Sequence, residues 1–172
     1  MTIAALLCTI GIIIPMFSPI KIVLEPASFT LASHVAIFIA MFLSPSIAVT
    51  VALGTSLGFF LGGFPIVVVC RALSQVVFAL IGAWYLQKHP SVLTRPGSTA
   101  VFALLIGLLH GMMEMLVVLP FYFSSMLSPA FYDSGFLRGI ILLVGIGTVI
   151  HSIIDFALAL LIWKPLKKAT GR

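Results

Sequence analysis

Residues 66–86 read IVVVCRALSQVVFALIGAWYL, an apolar run interrupted by Arg71 and Gln75. Its length matches the roughly 17–25 residues that carry an α-helix across a bilayer. Much of the chain repeats the pattern: 62% of its 172 residues are hydrophobic and 8% are charged, and the mean hydropathy is +1.30. An ordinary soluble domain carries roughly 25% charged residues. The chain is therefore an integral membrane protein, and the number of such runs sets its architecture.

Working outward from that run, the sequence divides at its prolines and polar clusters. Thr2 to Met16 is apolar and ends near Pro15 and Pro19. The segment FSPIKIVLEPASFTLAS that follows carries two prolines, Pro19 and Pro26, with Lys21 and Glu25, too broken for a helix interior and too apolar for a solvent loop. It is expected to be an ordered loop packed back on the protein. Further helices are expected over His34 to Leu43, Ile47 to Phe60, Ile66 to Leu86, Thr99 to Phe123 and Phe136 to Trp163. The expectation is an all-α membrane protein: one compact bundle of six transmembrane helices over residues 1–172, with the second helix too short to cross upright.

An even number of spans puts both termini on one side. Lys88, Arg95, Lys164, Lys167, Lys168 and Arg172 fall on that side, against Lys21, Arg138, Glu25 and Asp133 on the other. The positive-inside bias makes the termini cytoplasmic, and Trp84, Tyr85 and Trp163 fall where an inner aromatic belt is expected. The N-terminus lacks the basic start of a secretory signal and is read as a retained helix. Cys8 and Cys70 have no metal-type spacing and read as packing residues. Gly54, Gly58, Gly107, Gly111 and Gly145 offer small faces for close helix packing, either inside the bundle or against a partner subunit.

Five ionisable residues lie inside the apolar runs: Arg71, His110, Glu114, His151 and Asp155. A charge at the bilayer centre costs about 2.5–3.5 kcal/mol even on lenient scales, so these groups should face one another or a cavity. His110 with Glu114, and His151 with Asp155, share a helix face at i, i+4. Two readings fit Arg71 and Glu114: a buried ion pair that fixes helix register, or a polar site in which Arg71 grips a carboxylate through its planar fork while Gln75 adds an amide. His110, Glu114, His151 and Asp155 together offer a donor set zinc accepts, yet each pair can be satisfied internally, and neither a metal nor a cofactor is expected. No HExxH, GxSxG or phosphate-cradling glycine loop is present, so an enzyme is not expected. The basic charge is explained by topology, without nucleic acid.

Six helices in a short chain, a small-residue first helix, a proline-bearing first loop and polar residues in the outer halves of the late helices resemble an S component of the energy-coupling factor (ECF) transporters. The stretches PMFSPIKIVLEPASFTLASHVAIFIAMFLSP and ALGTSLGFFLGGFPIVVVCRALSQVVFALIGA look most like the niacin-uptake branch. The resemblance implies a bacterial plasma-membrane subunit that binds a small vitamin from outside and docks on a transmembrane coupling subunit driven by two ATPase subunits. It implies a pocket near the outer surface. The residues that fit are Arg71, Gln75, His110, Glu114 and His151, with Phe29, Ser33 and His34 from the first loop and Phe64 and Tyr122 to stack on a ring. Arg71 would pair with a carboxylate, and His110 or Glu114 would read a ring nitrogen. The family's small face on the first helix corresponds here to Ala4 with Cys8 and Ala5 with Thr9. Nicotinate leads as the ligand; pantothenate, pyridoxine and hydroxymethylpyrimidine are alternatives. A self-sufficient proton-coupled carrier and a ligand-free structural subunit are the readings from other classes.

Overall fold

The computed structural model describes residues 2–24 and 27–170, with side chains for 2–20 and 29–168. The expected placements of Glu25, Arg172 and the Lys21 side chain lie outside that description. Helix α1 (Thr2–Phe17) leads into a β-hairpin of β1 (Lys21–Leu24) and β2 (Ala27–Thr30), in which Ile22 faces Phe29. The first loop is thus a paired ribbon. Then follow α2 (Val35–Leu43), α3 (Pro45–Leu61), α4 (Ile66–Lys88), a 3-10 turn (Pro90–Thr94), α5 (Pro96–Phe123) and a short α6 (Pro129–Asp133). A π-helical segment (Leu137–Ile146) runs directly into α7 (Gly147–Thr170).

By length and composition, α4, α5 and the continuous Leu137–Lys168 rod can each cross a membrane, while α1 and α3 are apolar but shorter. Outward-facing Leu104, Leu105, Leu108 and Leu116 on α5, and Ile150, Ile154 and Leu161 on α7, remain exposed, as expected of helices that meet lipid. Helix α2 behaves differently. Every residue from Val35 to Met41 is buried, because α2 stands in the middle with α1, α3, α4 and α7 around it. Its nine residues are too few to cross a bilayer upright by themselves, and they form the centre of the core. Extended Ser44 ends it, and the Ser44 hydroxyl then caps α3 by accepting from the Ile47 N–H at 3.3 Å, with Pro45 in the first turn.

The glycine faces pack inside the bundle. A Cβ at Gly54 would lie 2.5 Å from Cys8 Sγ, and one at Gly58 would collide with Ile12, so the third helix presents its glycines to α1. Cys8, expected among the partner-facing residues, turns its thiol toward the Thr50 carbonyl (3.6 Å); the outward small residues of α1 are Ala5 and Thr9, with Ala4 half-buried. At the seam of α5 with the π segment, a Cβ on Gly111 would stand 2.8 Å from the Gly145 carbonyl oxygen and 2.9 Å from Val149 Cγ2. A backbone oxygen cannot swing aside. Gly111→Ala is therefore expected to cost about 1–3 kcal/mol by overpacking, read as a lower thermal midpoint in detergent.

Trp163 departs from the belt expectation. It is buried, with its ring 5.9 Å from Phe42 in the core, whereas Trp84 and Tyr85 are exposed and Lys88 Nζ lies 3.7 Å from the centre of the Trp84 ring.

Candidate functional site

At the end of the bundle away from Lys88 and Lys164, a cavity of about 230 Å³ opens between α1, the hairpin, α3, α4, α5 and α7. Local sequence explains its mouth. Gly63 takes a φ of +74° that ends α3, and Pro65 precedes the first turn of α4. The tight reversal folds Phe64 back on Phe59, their rings stacked 4.7 Å apart. One helical turn into α4 comes Arg71, followed by Gln75, and both face the cavity.

Of the residues singled out in the sequence, Arg71, Gln75, Glu114, Phe29, Ser33, His34, Phe64 and His151 line this space. Two do not. His110 is fully buried beneath the wall, and Tyr122 lies elsewhere, with its ring against Phe123, Tyr132 and Phe136. Sequence reasoning missed Pro15, Thr30, Thr55, Phe59, Val68 and Ala72. Thr55, a hydroxyl on the same α3 stretch as the glycine face, and Thr30, a hydroxyl beside Phe29 in the first loop, were the most accessible of these; Phe59, Val68 and Ala72 carry no signal in an apolar run. A larger cavity of about 430 Å³ sits at the opposite end beside Leu86, Trp163 and Lys164, and among the described residues no cluster of buried polar groups converges on it.

The polar groups fall into two connected sets. In the first, Arg71 Nε donates to Glu114 Oε2 at 2.8 Å, and Nη2 donates to the same oxygen. Thr148 Oγ1 also donates to Oε2, at 3.1 Å. The second carboxylate oxygen, Oε1, lies 3.5 Å from His110 Nε2. That nitrogen is buried and makes no hydrogen bond among the described residues, while His110 Nδ1 lies 3.2 Å from Ser152 Oγ. Glu114 is thus the anchor of Arg71, whose side chain lines the cavity and remains 21% exposed.

The second set centres on Asp155, which is fully buried. Its Oδ1 accepts the Ala32 N–H and its Oδ2 the His34 N–H, both at 2.8 Å. His34 Nδ1 and His151 Nε2 lie 3.2 and 3.3 Å from Oδ2. Ser33 Oγ sits among them, 3.0 Å from His151 Nε2 and 3.2 Å from His34 Nδ1. The carboxylate therefore holds the turn between β2 and α2 and places a negative charge at the N-terminal end of α2, where the helix dipole favours it. Ala32 is kept at a φ of +67°, unusual for a residue with a Cβ.

The zinc-type set weighed in the sequence divides between these two groups. Glu114 is committed to Arg71, whose cation disfavours a metal beside it. His34, His151 and Asp155 do bring ligand atoms within 4.8 Å of one another. Hydrogen bonds through Ser33 and the backbone account for that convergence.

A cavity with aromatic walls and an arginine at its side, sunk into an apolar helical bundle, is the architecture of a membrane protein that carries a small polar ligand. Over 168 residues, 97% of this chain and 74% of the relative, the sequence is 41% identical to the niacin transporter NiaX of Lactococcus lactis subsp. cremoris (strain MG1363). The chain belongs to that family, the niacin branch of the S components that its sequence resembles. It is a multi-pass bacterial membrane protein and a transport protein rather than an enzyme. No family model matches the chain, and no solved structure does.

Proposed function

We propose that this protein is the high-affinity niacin-binding subunit of an ECF-type transporter, receiving nicotinate from outside the cell and passing it inward after docking on a transmembrane coupling subunit driven by two ATPase subunits. The observation that carries the proposal is Arg71 at the wall of an aromatic cavity. Of the five N–H donors of a guanidinium, Nε and one Nη2 hydrogen serve Glu114, which leaves Nη1 and the second Nη2 hydrogen for a ligand carboxylate. Phe29, Phe59 and Phe64 supply faces for a flat ring. The volume, below the roughly 300–1,000 Å³ of pockets for drug-sized ligands, suits one small ring. Pyridoxine and hydroxymethylpyrimidine would leave Arg71 without a carboxylate, and pantothenate would leave the aromatic walls without a ring.

In this reading the chain crosses the membrane six times. Lys88, Arg95, Lys164 and Lys168 lie at the end opposite the cavity, which the positive-inside rule places in the cytoplasm together with both termini. The exposed small residues Ala5 and Thr9 of α1 are the contact offered to the coupling subunit.

Binding of radiolabelled nicotinate to the purified protein is expected to saturate with a Kd on the order of 1 µM or tighter, a binding free energy of about −8 kcal/mol. Unlabelled pantothenate is expected to compete poorly; stronger competition by pantothenate than by nicotinate would reassign the ligand. Vesicles containing this chain alone are expected not to accumulate nicotinate. Accumulation driven by a pH gradient without any ATPase would replace the ECF reading with that of a self-sufficient carrier.

A further inference from the structure

This inference rests on nicotinate being the ligand and concerns the charge that must come with it. Nicotinate is an anion at neutral pH, yet among the described residues the cavity holds no surplus positive charge to meet it. Arg71 and Glu114 cancel, both Nε and Nη2 being directed at one carboxylate oxygen, and Asp155 adds a negative charge nearby. A second carboxylate on Arg71 would leave a guanidinium flanked by two anions in a low-dielectric bundle, a state that disfavours ionisation of both. Something positive has to arrive with the ligand.

Glu114 Oε1 and His110 Nε2 show where it goes. Among the described residues the hydrogen bonds to Glu114 all go to Oε2, and the nitrogen facing Oε1 at 3.5 Å has no partner. An imidazolium would donate at both ends, from Nε2 to Glu114 Oε1 and from Nδ1 to Ser152 Oγ, which already lies 3.2 Å away. Phe78, its ring centre 4.4 Å from that of His110, would accept a cation against its face.

We propose that nicotinate binds together with one proton, held by His110, and that the resulting imidazolium takes over Glu114 so that the Arg71 fork is freed for the ligand carboxylate. The proton comes from solvent through the cavity. His34 lines that cavity, and its ring meets His110 edge-on at 4.8 Å. The ionisable groups around His110 are Glu114 on its own helix, Arg71 from α4, His34 ahead of α2, and His151 with Asp155 from α7. Cys8 is the one ionisable side chain of α1, and α3 has none. The side chain of Lys21 and the whole of Glu25 are outside the described residues. His110 is thus a positioning residue, acting on the ligand through Glu114 and Arg71.

The test is calorimetric titration of the purified protein with nicotinate in buffers of different ionisation enthalpy. The heats are expected to vary with buffer by an amount corresponding to about one proton taken up, and nicotinate affinity to tighten about tenfold per unit fall in pH above neutrality. His110→Gln is expected to abolish the buffer dependence. Glu114→Gln, which removes the anion that the imidazolium would compensate, is expected to bind nicotinate without proton uptake, and it keeps the test sound should the histidine variant fold poorly. Nicotinate binding to the unsubstituted protein with no proton uptake, or one proton still taken up in either variant, overturns this inference alone. Absence of nicotinate binding altogether overturns the proposed function with it.

Discussion

Arg71→Ala is expected to weaken nicotinate binding roughly 30- to 3,000-fold, the range that corresponds to about 2–5 kcal/mol for truncating one partner of a desolvated, hydrogen-bonded charge pair. The substitution has a second effect. It leaves Glu114, 3% exposed, as a buried carboxylate with only Thr148 donating to it, at a stability cost of about 3–5 kcal/mol. Loss of binding could then reflect loss of fold. The double substitution Arg71→Met with Glu114→Gln separates the two, because it removes both charges while keeping volume and is expected to restore the thermal midpoint without restoring nicotinate binding. Arg71→Lys is expected to rescue poorly, since a point charge cannot serve Glu114 and a ligand at once as the fork does. Equilibrium binding and thermal unfolding on the same samples check both expectations. A double variant that binds nicotinate as the unsubstituted protein does would remove Arg71 from the site.

The parts of this structure legible in the sequence are those governed by periodicity and by the cost of charge in lipid. The long runs that became α4 and α5 needed only hydropathy, and the pairing of Arg71 with Glu114 follows once two opposite charges occupy the outer halves of neighbouring helices. The i, i+4 spacing likewise brought His110 to Glu114 and His151 to Asp155. What spacing could not supply was helix rotation. His110 and Glu114 share a face, yet a modest turn of α5 decides that one lines the cavity and the other lies beneath it. The hairpin was hidden because its strands, KIVL and ASFT, are short and flank Pro26, and strand pairing of that length depends on the surface it packs against. Trp163 and Trp84 carry the same helix-end signature, and only tertiary packing sends one into the core and the other outward. Beyond His151, the partners of Asp155 were illegible. Two of them are the backbone N–H groups of Ala32 and His34, which every residue but proline carries, so no side-chain pattern announces them.

Asp155→Ala is accordingly expected to be among the most damaging single changes in the chain. It removes the acceptor for the Ala32 and His34 N–H groups and the partner of the His34 and His151 rings, all at a site with no exposure of the aspartate. Each of these two donors left unsatisfied costs about 1–3 kcal/mol, so a loss of about 2–6 kcal/mol is expected, read as a marked fall in thermal midpoint. Beyond Asp155, the turn at Ala32 is held by backbone hydrogen bonds, Ser33 N–H to the Thr30 carbonyl at 3.1 Å and Val35 N–H to the Ala32 carbonyl at 3.2 Å, and α2, whose first turn begins there, is the centre of the core. Ser33 and His34 would leave the cavity wall as the turn relaxed, so ligand binding should fall together with stability. Asp155→Asn is expected to be intermediate: its amide oxygen can accept one of the two N–H groups, but its NH2 meets the other donor head-on. The coupling of fold to binding at Asp155, set against their separation in the Arg71 and Glu114 double variant, distinguishes a residue that builds the lid of the cavity from one that meets the ligand. An Asp155→Ala protein with an unchanged thermal midpoint would show that the turn is held by the hairpin alone.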